Sequence, residues 1–340
     1  MCRYRFRLAA LAAFLLASCG GDRAPSYELT GSTMGTQFSI QVAEPMSGTK
    51  RTELQQEIEA VLDTVEHAMS TYLVQSDISK FNASSSTGWV AVSESTCRAV
   101  EAAEGVSRLS DGAFDVTVGP LVNLWGFGPD PVRLQPPPDT AVRAALERVG
   151  YRRLHADCKQ PALKKDSADV YVDLSAYAKG YGVDRVAELL DANGIRQYLV
   201  EVGGELRLRG LDSDGELWSV AIETPADTGR GIGRIVRLKD KAMATSGDYR
   251  NFFEYEGRRY SHLIDPRTGW PTMHDLAAVT VICDTAALAD ALATALLVLG
   301  PDDGFDLAVR EQIAAYFQLR TDNGFVERLT PAFRAIDEPG

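Results

Sequence analysis

Between residues 50 and 72, Leu54, Ile58, Val61, Leu62, Val65 and Met69 recur at three- and four-residue steps, so the pattern predicts a helix with one apolar stripe. A second helix is predicted over 93–109, closed by Asp111-Gly112. A third runs from Asp139 through Glu147, beyond the proline-rich connection 128–139. Residues 30–45 read as a loop entering a strand. In the second half the period keeps changing. Residues 170–174 read as a strand, 182–194 as a helix capped by Asn193-Gly194, and 197–210 as a strand pair around a glycine turn. Residues 249–265 alternate around Glu256-Gly257, a hairpin signal, and 277–283 are apolar enough for a buried strand. After Pro301 come a short helix, the run 313–320, a turn at 322–324 and the run 325–329. Strands and hairpins with helices among them, and no tandem repeat, predict an α+β fold of mixed sheets with packed helices.

The stretch 283–301 carries a different signal. Asp284 reads as an N-cap and Gly300-Pro301 as the stop, and nearly everything between is Ala, Leu or Val, so this helix should be buried on all sides. Only Asp290 and Thr294 break the run, four residues apart on one face. An ionised carboxylate buried without a partner costs far more than one helix can offset. Asp290 must therefore hold something. Two oxygen ligands at this spacing suit Mg²⁺ better than zinc; the alternative is an Asp bonded to a nearby amide and a Thr bonded one turn back.

The chain opens on three arginines (Arg3, Arg5, Arg7), an apolar run over 8–17 and small residues before Cys19, which is a secretory signal too short to span a bilayer as a mature helix. Leu16-Ala17-Ser18-Cys19 resembles the lipobox of bacterial lipoproteins. It implies a signal over 1–18, lipid on Cys19, a tether over 19–28, and a protein anchored to the inner membrane and facing the periplasm. Cleavage moves the formal charge from −12 to about −15, the wrong sign for nucleic acid. Cys97, Cys158 and Cys283 remain, so at most one disulfide is possible and the fold must rest on its core.

Other candidate chemistry is scattered. Residues 172–186 read as a strand, a small-residue turn and a helix, where the amides of 178–180 and Lys179 would attract phosphate, with Asp173 at the strand's end. His262, before a Pro-Arg-Thr-Gly turn, is placed as a general base, while His67, His155 and His274 read as structural. Met34 and Tyr72 sit in loops where they could lie on a flat ring, Asp115 is a possible ligand contact, and Trp125 reads as packing. Ser246 lacks a nucleophile elbow.

Seven stretches in order, GSTMGTQFSI, MSTYLVQSDISKFN, GAFDVTVGPLVNLWGFG, VDLSAYAKGYGVDRVAELL, YLVEVGGELRLRG, ATSGDYRNFFEYEGRRYSHLIDPRTGWP and VTVICDTAALADALATALLVLG, resemble the ApbE family of FAD:protein FMN transferases, and cover most of residues 31–300. The resemblance implies an ApbE-like, T-fold-related domain over 29–337. It implies an Mg²⁺-dependent enzyme that takes FAD as substrate, passes FMN to a threonine of an acceptor protein such as an electron-transport subunit, and releases AMP. It implies FAD contacts at Met34, Tyr72, Ala113, Phe114, Asp115, Asp173, Lys179 and Ile264. Metal ligation falls to Asp290, Thr294 and the Ala176 carbonyl, and the base would be His262. The alternatives are a metal-dependent FAD pyrophosphatase giving FMN and AMP, a non-catalytic FAD-binding lipoprotein, and a structural lipoprotein without ligand.

Overall fold

A computed structural model describes residues 26–129, 134–225, 231–249 and 251–337. The leader, Cys19 and most of the tether lie outside the described residues. Eight strands lie side by side in chain order, each antiparallel to its neighbours. They are β1 (Tyr27–Thr33), β2 (Thr36–Val42), β3 (Tyr198–Val202), β4 (Glu205–Arg209), β5 (Lys241–Gly247), β6 (Leu276–Cys283), β7 (Ala314–Thr321) and β8 (Gly324–Leu329). Three long helices, α1 (Gly48–Met69), α2 (Glu94–Leu109) and α3 (Ser175–Ala192), come from one excursion between β2 and β3, and α4 (Ala286–Leu299) follows β6. The fold is α+β, as expected. The smaller sheets are antiparallel as well: Val90–Ala91 with Ala162–Lys165 and Leu154–Asp157, a ribbon Trp218–Thr224 with Gly231–Leu238, and a ribbon Phe252–Tyr255 with Arg258–Ser261.

Strand alternation sorts the core onto two faces. Ala242 and Ala244 of β5, and Ala315 and Phe317 of β7, face the helices; Met243 and Tyr316 face the other way, against Trp218, Val220 and Phe333. Strand β6 is buried along nearly its whole length because both faces are covered. Helices α1 and α2 begin on Ser47 and Ser93, whose side-chain oxygens accept from Lys50 N and Thr96 N at 3.2 Å each.

The cap of α4 corrects the sequence reading. Asp284 does not cap it; that side chain is exposed and pairs with Lys241 Nζ at 2.7 Å. The first amides of α4 are satisfied from another helix, since Asp184 of α3 accepts from Ala286 N at 3.0 Å and Ala287 N at 2.9 Å. Arg207 balances that carboxylate at 2.8 Å. Two strand readings change likewise. Residues 170–174 join no ladder; the Asn82 carboxamide plays the neighbouring strand, donating to Val172 O (2.8 Å) and accepting from Val172 N (2.7 Å). Residues 30–45 are two strands, not one, because Met34 (φ 49°) and Gly35 (φ 70°) form a two-residue turn with both φ positive.

A disulfide joins Cys97 of α2 to Cys158, 61 residues away in sequence, and Cys283 keeps its thiol. Loop-closure entropy over that span corresponds to about 4 kcal/mol. Cys97→Ser/Cys158→Ser should lower unfolding stability by about 2–4 kcal/mol in urea titration while leaving the site's ligand affinities unchanged.

Candidate active site

One cavity of about 660 Å³ opens between α3, α4, the β3–β4 turn, the end of β5 and the Trp218–Thr224 strand, with Asn251 and His262 from the two chain ends of the other ribbon. Such a volume takes a mid-sized organic ligand. Its floor is ionic. Asp290 of α4 is 3% exposed, and its Oδ2 accepts from Gly180 N at 3.3 Å and faces Lys179 Nζ at 3.6 Å. Lys179 lies closer to Glu205 Oε1, at 2.8 Å, and the second Glu205 oxygen is buried without a protein partner. Burial raises the carboxyls of both Glu205 and Asp290, and the Lys179 charge pulls both back down. Burial opposes the charge on Lys179, but Asp290 and Glu205 together hold its pKa well above the ordinary lysine value.

Thr294, one turn after Asp290, shares a 2.9 Å hydrogen bond with Ser246 of β5. Ala176 sits at a kink near the start of α3, with φ −88° and ψ 18°. Gly180 N–H, one turn on, donates to Asp290, and Ala176 lines the cavity. Among the described residues no three His, Cys, Asp or Glu side chains cluster as a metal cage. A cation held here would draw on one carboxylate, one hydroxyl, one carbonyl and oxygens of its ligand, the hard, sparse donor set of Mg²⁺.

His262 directly follows the Arg258–Ser261 strand and lines the cavity. Its Nδ1 lies 3.1 Å from the Asn251 carbonyl, which can only accept, so Nδ1 carries the proton and Nε2 is the acceptor. Burial holds the imidazole pKa below 6.5, an effect the Asn251 bond partly offsets and the nearby Lys179 charge reinforces. The ring is therefore neutral near pH 7. Phe127 meets it edge-on at 6.3 Å.

The remaining expected contacts divide. Tyr72 is 64% exposed at the mouth, and Ala113, Phe114 and Ile264 are buried in the wall. Asp115 and Asp173 also border the cavity, but their carboxylates serve the backbone. Asp115 accepts from Thr117 N, Thr117 Oγ1 and Tyr151 N, all at 2.7 Å, and Asp173 from Ser175 N at 2.9 Å. Met34 does not join them: its methyl packs over Gly182 and Leu62, between α1 and α3. The phosphate reading of 178–180 also changes. Those residues are already helical, Ala178 N donates to Leu174 O, Gly180 N goes to Asp290, and Lys179 is paired. Sequence reasoning missed Glu205; the one signal for it was a carboxylate directly after the Gly203-Gly204 turn, at the buried start of a strand.

A buried carboxylate, a hydroxyl and a neutral imidazole border one cavity, the makings of an enzyme that does acid–base work on a bound ligand. Residues 34–317 match the ApbE family. The chain is 43% identical over 327 residues to the FAD:protein FMN transferase of Vibrio cholerae, covering 96% of this chain and 97% of that one. Over 311 residues it is 40% identical to the Escherichia coli K12 protein of the same name, covering 91% and 88%. The flavin transferase ApbE structure from Vibrio cholerae superposes with a TM-score of 0.85 at 42% identity, over 92% of this chain and 99% of that one. The chain belongs to the ApbE family.

Proposed function

We propose that the chain moves FMN from FAD to a threonine of an acceptor protein and releases AMP. The observation that carries this reading is the convergence of Asp290, Thr294, Ala176 and His262 on one cavity, in a chain so similar to proteins named for that activity. The threonine oxygen bonds to the phosphorus of the FMN half, the bond from that phosphorus to the bridging oxygen breaks, and AMP leaves with that oxygen. His262 Nε2 takes the hydroxyl proton, and the Asn251 carbonyl keeps the ring in the tautomer that can accept it. Tyr72, at the rim, and Phe114 and Ile264, in the wall, offer apolar surface to the flavin or adenine ring. Asp290, Thr294 and the Ala176 carbonyl would hold Mg²⁺, which when bound supplies the positive charge that a diphosphate needs in so acidic a protein. The acceptors are extracytoplasmic redox proteins, and the enzyme is lipid-anchored through Cys19, facing the periplasm from the inner membrane. The leader pattern supports this, and so does a disulfide, which persists in oxidising compartments.

Incubation with FAD, Mg²⁺ and a threonine-bearing acceptor, read by mass spectrometry, should show a flavin phosphodiester on threonine. FMN formed at a rate indifferent to the acceptor would instead show hydrolysis. His262→Ala should keep FAD affinity while slowing transfer about 10²–10⁴-fold. Because the base must be neutral, the wild-type rate should rise with pH and level off above a midpoint lower than 6.5.

A further inference from the structure

We infer that Glu205 is a positioning residue that draws the Lys179 ammonium away from Asp290 and so keeps the Asp290 carboxylate available to a divalent cation. The inference rests on the metal reading proposed above and concerns only this chain's own side chains. Three charged groups share the cavity floor, and their spacing is unequal: Lys179 Nζ is 2.8 Å from Glu205 Oε1 and 3.6 Å from Asp290 Oδ2. An ammonium in full contact with Asp290 would neutralise it and repel an incoming cation. The neighbouring backbone supports the observed placement. Gly203 has φ +62°, and a β-carbon there would lie 3.2 Å from Lys179 Cδ, so the bare turn between β3 and β4 lets the lysine stem pass toward Glu205. Glu205 itself is 3% exposed and opens β4, so the sheet fixes where its carboxylate stands. With that carboxylate neutralised, the nearest full negative charge left to Lys179 is Asp290.

A pure charge effect gives the same sign, since removing any anion near a cation site weakens it. A double-mutant cycle separates the two. Mn²⁺ binding to the full mature protein without FAD, followed by electron paramagnetic resonance, and Mg²⁺ binding, followed by calorimetry, should be at least about tenfold weaker in Glu205→Gln. In a Lys179→Met background the same change should alter affinity by no more than about twofold, because no ammonium remains to be held back. An equal loss in both backgrounds, or no loss in either, overturns the inference while leaving the metal reading intact. Absence of saturable Mn²⁺ and Mg²⁺ binding in the wild type overturns both. Should Glu205→Gln fail to fold, Glu205→Asp, which keeps the charge but withdraws it by one methylene, must weaken binding in the same Lys179-dependent way, and a loss independent of Lys179 again overturns the inference.

Discussion

Asp290→Ala should lower kcat for FAD turnover by at least about 10³-fold and abolish saturable Mg²⁺ binding, while the protein stays folded. The reasoning runs through what the substitution leaves behind. Deleting one partner of a buried ion pair usually costs about 3–5 kcal/mol, because a charge is stranded. Here Lys179 retains Glu205 at 2.8 Å, so little is stranded. The amide that loses this acceptor, Gly180 N–H, sits inside α3, where the carbonyl one turn back is the regular partner. The mutated helix is apolar almost throughout, and Ala is its commonest residue. Structure is thus nearly indifferent to the change, whereas the cavity loses its one carboxylate at the proposed cation site. Steady-state rates across a Mg²⁺ titration, beside thermal melts, check both halves. Near-normal activity at limiting Mg²⁺ would remove Asp290 from the metal assignment.

Gly180→Ala should cost stability and function together, a loss of about 3 kcal/mol in urea unfolding with loss of turnover. A β-carbon at Gly180 would sit 2.3 Å from the Ala286 carbonyl oxygen and 2.7 Å from Ala287 N. Those are main-chain atoms, which cannot swing aside as a side chain does. Helix α3 would have to retreat from α4, stretching the Asp184 bonds to Ala286 and Ala287 and the Gly180 bond to Asp290. Gly105 in α2 is the control. It is exposed, nothing lies within 4 Å of the point a β-carbon would occupy, and Gly105→Ala should be neutral or stabilise by up to about 1 kcal/mol.

Helices α1 and α2 were legible, α1 by its side-chain period, whereas α3 begins at Ser175 rather than 182, within the stretch read as a turn. The buried helix with its single acid was legible from composition alone, and its odd residue led to the site. What escaped notice depends on partners distant in sequence. No local rule says that Asp184 caps a helix a hundred residues later, or that the Asn82 amide stands in for a strand beside Val172. The first hairpin escaped because Met is a rare choice where φ must be positive, and the ribbon Trp218–Thr224 with Gly231–Leu238 because no short turn signal joins its arms. Within the site, residue identities were readable and allegiances were not. Asp115, Asp173 and Lys179 look like ligand contacts in sequence, yet each is engaged by the protein's own backbone or charges.

The sheet follows chain order, but the excursion over 43–197 separates β2 from its partner β3, and the pocket draws on Lys179 from the excursion, Glu205 after it, and Thr294 much later. Bringing such remote pieces together is slow compared with winding a helix or closing a hairpin. A chain that ends before α4 therefore carries Ala176, Lys179, Glu205 and His262 but lacks Asp290 and Thr294, and the proposed cation site is incomplete without them.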